Sequence, residues 1–139
     1  MAPRVVRDIM TAKVVYMLEE ENLERIGKGM ERFKFRHLPV VDAGKLVGIV
    51  SQRDYLRASV SDLDPDFALK NDNLKRNIFV AEIMTRDVVS VRPDTPLLEA
   101  AKLLREHRFG CLPVTEADGS LVGIVTDYDF VGLTIALLE

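Results

Sequence analysis

The stretch LVGIVSQRDY (Leu46–Tyr55) returns without a gap as LVGIVTDYDF (Leu121–Phe130), 75 positions later. Upstream, IMT at Ile9–Thr11 returns as IMT at Ile83–Thr85, and HLPV at His37–Val40 returns as CLPV at Cys111–Val114, both 74 positions on. TEADGS is one residue longer than VDAGK, which accounts for the step from 74 to 75. Three blocks in one order at one spacing are a tandem duplication, and a repeat of this kind sets the architecture before any single element is assigned.

The chain has 139 residues, the size of one ordinary domain, and can bury a real core. A copy of roughly 60 residues is marginal alone, so the two copies are expected to pack on each other. A formal charge of −3, from 19 basic and 22 acidic residues, argues against nucleic acid or an anionic membrane as a generic partner. With 47% hydrophobic and 29% charged residues, the composition is that of a soluble globular protein. The single cysteine, Cys111, leaves no intramolecular disulfide and fits a reducing compartment. MAPRVVRDIM at the start has no continuous apolar core of a signal peptide. The longest apolar run, FVGLTIALL (Phe130–Leu138), is far short of the ~20 residues a spanning helix needs. These features point to a cytoplasmic protein without membrane insertion.

The second copy is the easier to read. DVVSV (Asp87–Val91) is rich in β-branched residues and stopped by RPDTP, which predicts a strand and a turn. Thr95 is a candidate N-cap with Pro96 at the first helical position. LLEAAKLLREH then puts Leu97, Ala100, Ala101 and Leu104 on one helical face, and Gly110 suits the helix stop. CLPV is a short strand whose Pro113 belongs at an edge or an end of pairing. EADGS is a hairpin turn, and LVGIVT reads as an apolar strand buried on both sides. A last helix from Asp129 to Leu138 repeats apolar residues at Phe130, Leu133, Leu137 and Leu138.

The first copy repeats the plan, with Leu23, Ile26, Met30 and Phe33 as its helical stripe. Gly27 and Gly29 match Ala101 and Leu103 and each cost about 1 kcal/mol of helix propensity. They make room for a close approach by another segment, or simply a looser helix. The expected fold is therefore α/β, with two β-α-β-β-α repeats, over residues 6–60 and 80–139, packed as a pseudo-two-fold pair. Each is led by a short helix around RDIM or AEIM, and a polar linker at 61–79, partly helical from Pro65, joins them.

This duplicated unit, with HLPVVDAGKLVGIVSQRD in one copy and CLPVTEADGSLVGIVTDYD in the other, resembles the cystathionine-β-synthase (CBS) domain, here as a tandem pair. The resemblance runs from about Val6 to Leu138, apart from the linker. It implies two clefts between the copies that bind adenosine-containing ligands: AMP, ADP, ATP or S-adenosylmethionine, sometimes a dinucleotide. It also implies a regulatory, non-catalytic module that pairs into flat homodimers.

The residues themselves carry part of this. A nucleotide needs an acceptor for its ribose hydroxyls, donors for phosphate, and an apolar slot for the base. Asp54 and Asp129 sit at helix starts after strands, where free N–H groups also suit phosphate, and Ser51 and Thr126 precede them by three residues. The same spacing is a capping box, in which hydroxyl and carboxylate satisfy the helix start reciprocally. The resemblance favours the ligand, since these positions match the family's ribose and phosphate motif; both roles can hold in turn.

Arg36 and His37 lie between helix and LPV strand, where similar modules place phosphate contacts, with Pro39 in that strand; the competing reading has them complement a helix C-terminus. Arg53 is a third cation or a plain surface arginine. The second copy has Gly110, Cys111 and Tyr128 at these three positions, so the clefts should differ and one nucleotide site per chain is expected. Val14, Val15 and Tyr16 in one copy, and Val88 and Val89 in the other, are core-strand residues first and base contacts second.

Other signals fail. Asp62, Asp64 and Asp66 start like a calcium loop, but positions 6 and 12 are Phe67 and Asn73. No Walker loop, His/Cys metal cluster or Ser/His/Asp arrangement is present in the sequence. The expected function is adenine-nucleotide sensing passed to a partner, such as a separately encoded enzyme or transporter. The rival is a constitutive dimerisation scaffold whose clefts bind nothing, for which the weak second cleft and the apolar last helix are the arguments.

Overall fold

A computed structural model describes residues 3–33, 35–58 and 77–139. The expected linker helix and the Asp62–Asp66 motif fall outside the described residues. The elements are a 3-10 turn at Val6–Asp8, β1 (Met17–Leu18), α1 (Leu23–Phe33), β2 (His37–Asp42), β3 (Lys45–Ser51), α2 (Gln52–Ala58), α3 (Val80–Ile83), α4 (Leu97–His107), β4 (Cys111–Thr115), β5 (Leu121–Thr126) and α5 (Asp127–Leu138). The fold class is α/β, with two sheets: β1-β2-β3, and β4-β5.

The chain divides into two compact units that do not coincide with the two copies. One comprises Met1–Val14, Gly44–Leu46 and Val89–Glu139; the other comprises Val15–Ala43 and Val47–Val88. Each IMT segment is therefore built into the unit of the other copy.

In the first unit, Thr11 forms an antiparallel bridge with Ile124, and Val6 is fully buried in a core with Val91, Ala100, Leu104, Leu112, Val114 and Val125. Asp8 turns the segment by accepting the N–H groups of Arg4 (2.9 Å) and Val5 (3.0 Å). Both bonds hold its carboxyl below the ordinary value. β4 and β5 pair antiparallel, with Pro113 opposite Ile124. On the far side of β4 a single parallel bridge, Val91 to Val114, stands where a strand is predicted over Asp87–Val91. Only one residue of that run reaches pairing distance, which also lets Pro113 sit inside β4 without a strand wanting its missing N–H. The tip Gly44–Leu46 is tied to the 118–121 turn by Leu46 N–H to Gly119 O (3.0 Å), Leu121 N–H to Gly44 O (3.1 Å) and Lys45 Nζ to Asp118 O (2.7 Å).

In the second unit, Ile49 bridges Thr85, and Val80 is fully buried with Met17, Leu23, Ile26, Met30, Leu38, Val40, Val50 and Met84. Glu82 accepts the Phe79 N–H (2.7 Å), the counterpart of Asp8 and Val5. β1 runs parallel to β2, Met17 opposite Val40. Ala43 and Gly44 join β2 to β3 with φ of 50° and 79°, the positive values a two-residue hairpin requires at both positions.

Local expectations were met unevenly. α4 has the bounds read from its apolar stripe, and Leu97, Ala100 and Leu104 are buried on it. Its N-cap, however, is Pro96, because the Thr95 hydroxyl accepts the Arg92 N–H instead. Its left-handed cap is Arg108 (φ 54°), not Gly110. β5 is not buried on both sides: only Gly123 and Val125 are buried, on one face. α5 begins two residues before Asp129 and buries none of its residues; Val131, Ile135, Leu137 and Leu138 are all more than half exposed.

The glycines of the GIV motif explain how the exchanged segments seat. A Cβ on Gly48 would lie 2.7 Å from Met84 Sδ, and one on Gly123 would lie 2.6 Å from Met10 Sδ. In each unit the methionine of IMT occupies the space a side chain would take. Gly27 serves a similar end in α1, where a Cβ would meet the Tyr55 hydroxyl at 2.5 Å. Gly29 meets only Leu38 at an ordinary 3.8 Å, so its lost helix propensity has no such reason.

Candidate functional site

Each unit presents one strand-to-helix junction, and the two are built alike. In the second unit β3 ends at Ser51 and α2 begins at Gln52. The Ser51 N–H donates to Asp54 Oδ2 (2.9 Å), and the Asp54 N–H donates to Ser51 Oγ (3.1 Å). Gln52 N–H donates to Arg36 O (2.7 Å), which pins the residues before β2 to the start of α2. In the first unit Thr126 N–H donates to Asp129 Oδ2 (2.8 Å), Asp129 N–H donates to Thr126 Oγ1 (3.3 Å), and Asp127 N–H donates to Gly110 O (3.3 Å). The capping box of the Ser/Thr-x-x-Asp spacing is therefore formed in both units.

Capping fixes these groups without using them up. Asp54 and Asp129 are half-buried, and the junction bonds given for each carboxylate all fall on its Oδ2. The structure brings Arg36 and His37 beside Ser51 and Asp54 through the Gln52 bond. Arg36 and Arg53 are exposed, and neither guanidinium has an ion pair or hydrogen bond among the described residues. His37 is half-buried and has a partner of its own. Two unpaired guanidiniums at a helix start make a positive patch suited to a planar-anion or phosphate contact.

The first unit lacks that patch. Gly110, Cys111 and Tyr128 stand at the matching positions, and Cys111 is buried. Burial, and after it the charge of Asp127, pushes its thiol up to about 12. Asp127 stands where the other copy has Gln52, and its Oδ1 accepts the Tyr128 N–H at 2.8 Å. The contrast is visible in the sequence as SQRD against TDYD.

The strands expected at the proposed base contacts need correction. Val14, Val15 and Tyr16 precede β1 rather than belonging to a strand, and Val88 and Val89 are in no strand. Val15 and Val89 pack against the two cores, whereas Tyr16 is 52% exposed and available to a planar partner. Pro39 is fully buried in β2, so its ring is committed to packing. Among the described residues, no group of three or more His, Cys, Asp or Glu could hold a metal ion. No helix among them is long and apolar enough to cross a membrane.

The family model for the CBS domain matches twice, over residues 6–61 and 80–134. The chain belongs to the CBS-domain family. A CBS domain-containing protein of Dictyostelium discoideum is 32% identical over 136 residues, covering 97% of this chain and 94% of its own. The solved structure of CBSX2 of Arabidopsis thaliana in complex with AMP is 30% identical, with a TM-score of 0.82, covering 99% of this chain and 100% of that one. The CBS domain pair of protein MJ0100, solved with 5-methylthioadenosine and S-adenosyl-L-methionine, is 29% identical with a TM-score of 0.78, covering 96% and 98%. Three other curated relatives are longer: the chain spans 45% of an uncharacterized protein of Methanocaldococcus jannaschii, and 23% of each of two homoserine O-acetyltransferases. CBS pairs are regulatory modules as a rule, and the CBS segment is a minor share of those two enzymes.

Proposed function

We propose that this CBS pair is a non-catalytic regulatory module that binds an adenine nucleotide or adenosyl ligand, and that its occupancy is read by a partner protein. The observation that carries the reading is the pair of unpartnered guanidiniums, Arg36 and Arg53, at the junction where Ser51 and Asp54 are already held in place. In this reading Arg36, His37, Arg53 and the Ser51 hydroxyl meet phosphate, Asp54 takes the ribose hydroxyls, and Val15 and Tyr16 lie against the base. In the first unit Thr126 and Asp129, with Val89 for the base, form the weaker counterpart. The relatives solved with AMP and with S-adenosyl-L-methionine support the ligand class. A cytoplasmic location is part of this reading.

A second reading, a constitutive homodimerisation scaffold, is favoured by α5, whose exposed Val131, Ile135, Leu137 and Leu138 suit a second copy of this chain. Thermal melting separates the two. A ligand selective for the native state stabilises by RT ln(1 + [L]/Kd), about 2.7 kcal/mol at a hundredfold excess over Kd. The expected result is a shift with one of AMP, ADP, ATP, NAD or S-adenosylmethionine, none with a guanine nucleotide, and none for Asp54→Ala relative to its own ligand-free melt. No shift with any of them at millimolar concentration would leave the scaffold.

A further inference from the structure

The two IMT methionines take the same seat with different access to solvent. In the first unit Met10 packs on the apolar core, and its Sδ fills the place of a Gly123 side chain, 2.6 Å from where a Cβ would lie. In the second unit Met84 does the same over Gly48, at 2.7 Å. Met84 is only 8% exposed, and Met17 and Met30 are 5% and 7% exposed, whereas Met10 is half-buried. Among the described methionines, Met10 alone offers itself to a small solute.

A thioether reacts with hydroperoxides to give the sulfoxide. One peroxide oxygen is transferred to Sδ: an S–O bond forms and the O–O bond breaks. The sulfur is oxidised by two electrons, and the peroxide is reduced to water, the proton of the transferred oxygen going to the departing one. Cys111, the one thiol of the chain, does not compete, since it is buried and its thiol, pushed up to about 12, stays in the unreactive protonated form.

The product does not fit the seat. An oxygen on Sδ either crowds the Gly123 backbone or enters the apolar cluster of Val6, Val91, Leu112 and Val125, where an unpartnered polar group is costly. The remaining course is for Sδ to leave the gap. Thr11 follows it and gives up both bonds of its bridge, its N–H to Ile124 O (2.9 Å) and the Ile124 N–H to its own carbonyl (3.0 Å).

We infer that Met10 is a methionine-oxidation site for hydrogen peroxide and related hydroperoxides, and that its sulfoxide unlatches the first IMT segment from β5. The inference is independent of the nucleotide reading.

Tryptic peptides 8–13 and 77–86 carry Met10 and Met84 as their single methionines, so mass spectrometry after hydrogen peroxide treatment of the native full chain reads the two side by side. Met10 is expected to oxidise several times faster. In the oxidised chain, the Thr11 and Ile124 amides should exchange hydrogen at least about tenfold faster by NMR. The Ile49 and Thr85 amides, which form the matching bridge in the second unit, should keep their rates and so report that the chain is still folded. Met10→Leu should keep slow exchange at Thr11 and Ile124 after the same treatment. Equal oxidation of Met10 and Met84, or a Met10 sulfoxide whose Thr11 and Ile124 amides exchange no faster than before treatment, would overturn the inference. Both of these measurements are made on the wild type and decide the matter even where Met10→Leu does not fold.

Discussion

Replacing Gly123 by alanine adds one methyl group at a place where the exchanged segment leaves no room. The new Cβ would lie 2.6 Å from Met10 Sδ, 3.2 Å from Met10 Cγ and 3.1 Å from the Thr11 carbonyl oxygen. That carbonyl accepts the Ile124 N–H at 3.0 Å, and the Thr11 N–H donates to Ile124 O at 2.9 Å, so a segment pushed away gives up both bonds. Overpacking costs about 1–3 kcal/mol and each of the two hydrogen bonds about 1 kcal/mol, giving on the order of 3–5 kcal/mol of destabilisation. The same substitution at Gly132, on the exposed face of α5 with nothing within 4 Å, should stabilise by about 1 kcal/mol through helix propensity. Urea unfolding followed by circular dichroism measures both. A double-mutant cycle sharpens the test. Met10→Ala removes the Sδ and Cγ contacts and leaves the carbonyl at 3.1 Å, which a shift of a few tenths of an ångström relieves, so it should relieve Gly123→Ala in large part. In the other unit, Met84→Ala should relieve Gly48→Ala less, because the Thr85 carbonyl remains at 2.9 Å. Equal effects of alanine at positions 123 and 132, or equal relief in the two cycles, would refute the account of how these segments are seated.

Two further outcomes follow from charge. Folding raises the Cys111 thiol from 9.0 to about 12, mainly by burial, so its contribution to stability is whole below about pH 9 and is lost as pH rises toward 12. Unfolding free energies from pH 8 to 11 should therefore fall more steeply for the wild type than for Cys111→Ala, and parallel curves would contradict the burial. Asp118 is lowered to about 2, first by the Ser120 N–H (2.9 Å) and its hydroxyl, then by Lys45. Its contribution is present above about pH 4 and lost as pH falls through 2. Asp118→Asn should approach wild-type stability as pH is lowered from 5 to 2.5; a constant gap would mean the turn is held by something else.

Much of this architecture was legible because the duplication is written in residues with narrow uses. The apolar stripe of Leu97, Ala100 and Leu104 gave the bounds of α4, and the Asp/Gly turn residues gave both hairpins. What stayed hidden was partner choice. IMT reads identically in both copies, so nothing in Met10 or Met84 says which Gly it covers; that depends on the path of the chain between them. The strand expected at Asp87–Val91 shrank to a bridge at Val91, since β propensity describes a residue's fit to a sheet and cannot supply the neighbouring strand. At the candidate site, Ser51, Asp54, Thr126 and Asp129 stood out by spacing. Asp127 did not, because one acidic residue at a helix start looks like ordinary dipole complementation until its bond to the Tyr128 N–H is seen.

The exchange of leading segments also governs how the protein comes into being. Thr11 finds its place against Ile124, 113 positions later, and Val6 enters a core whose last strand residue is Val125. During synthesis this segment emerges before its partners, and its buried valine has no core until Val125 has left the ribosome. The Val15–Val88 unit, by contrast, has everything it needs once Met84 and Thr85 are out. Assembly is thus ordered: the unit around β1-β2-β3 can close early, and the unit around β4-β5 closes after it.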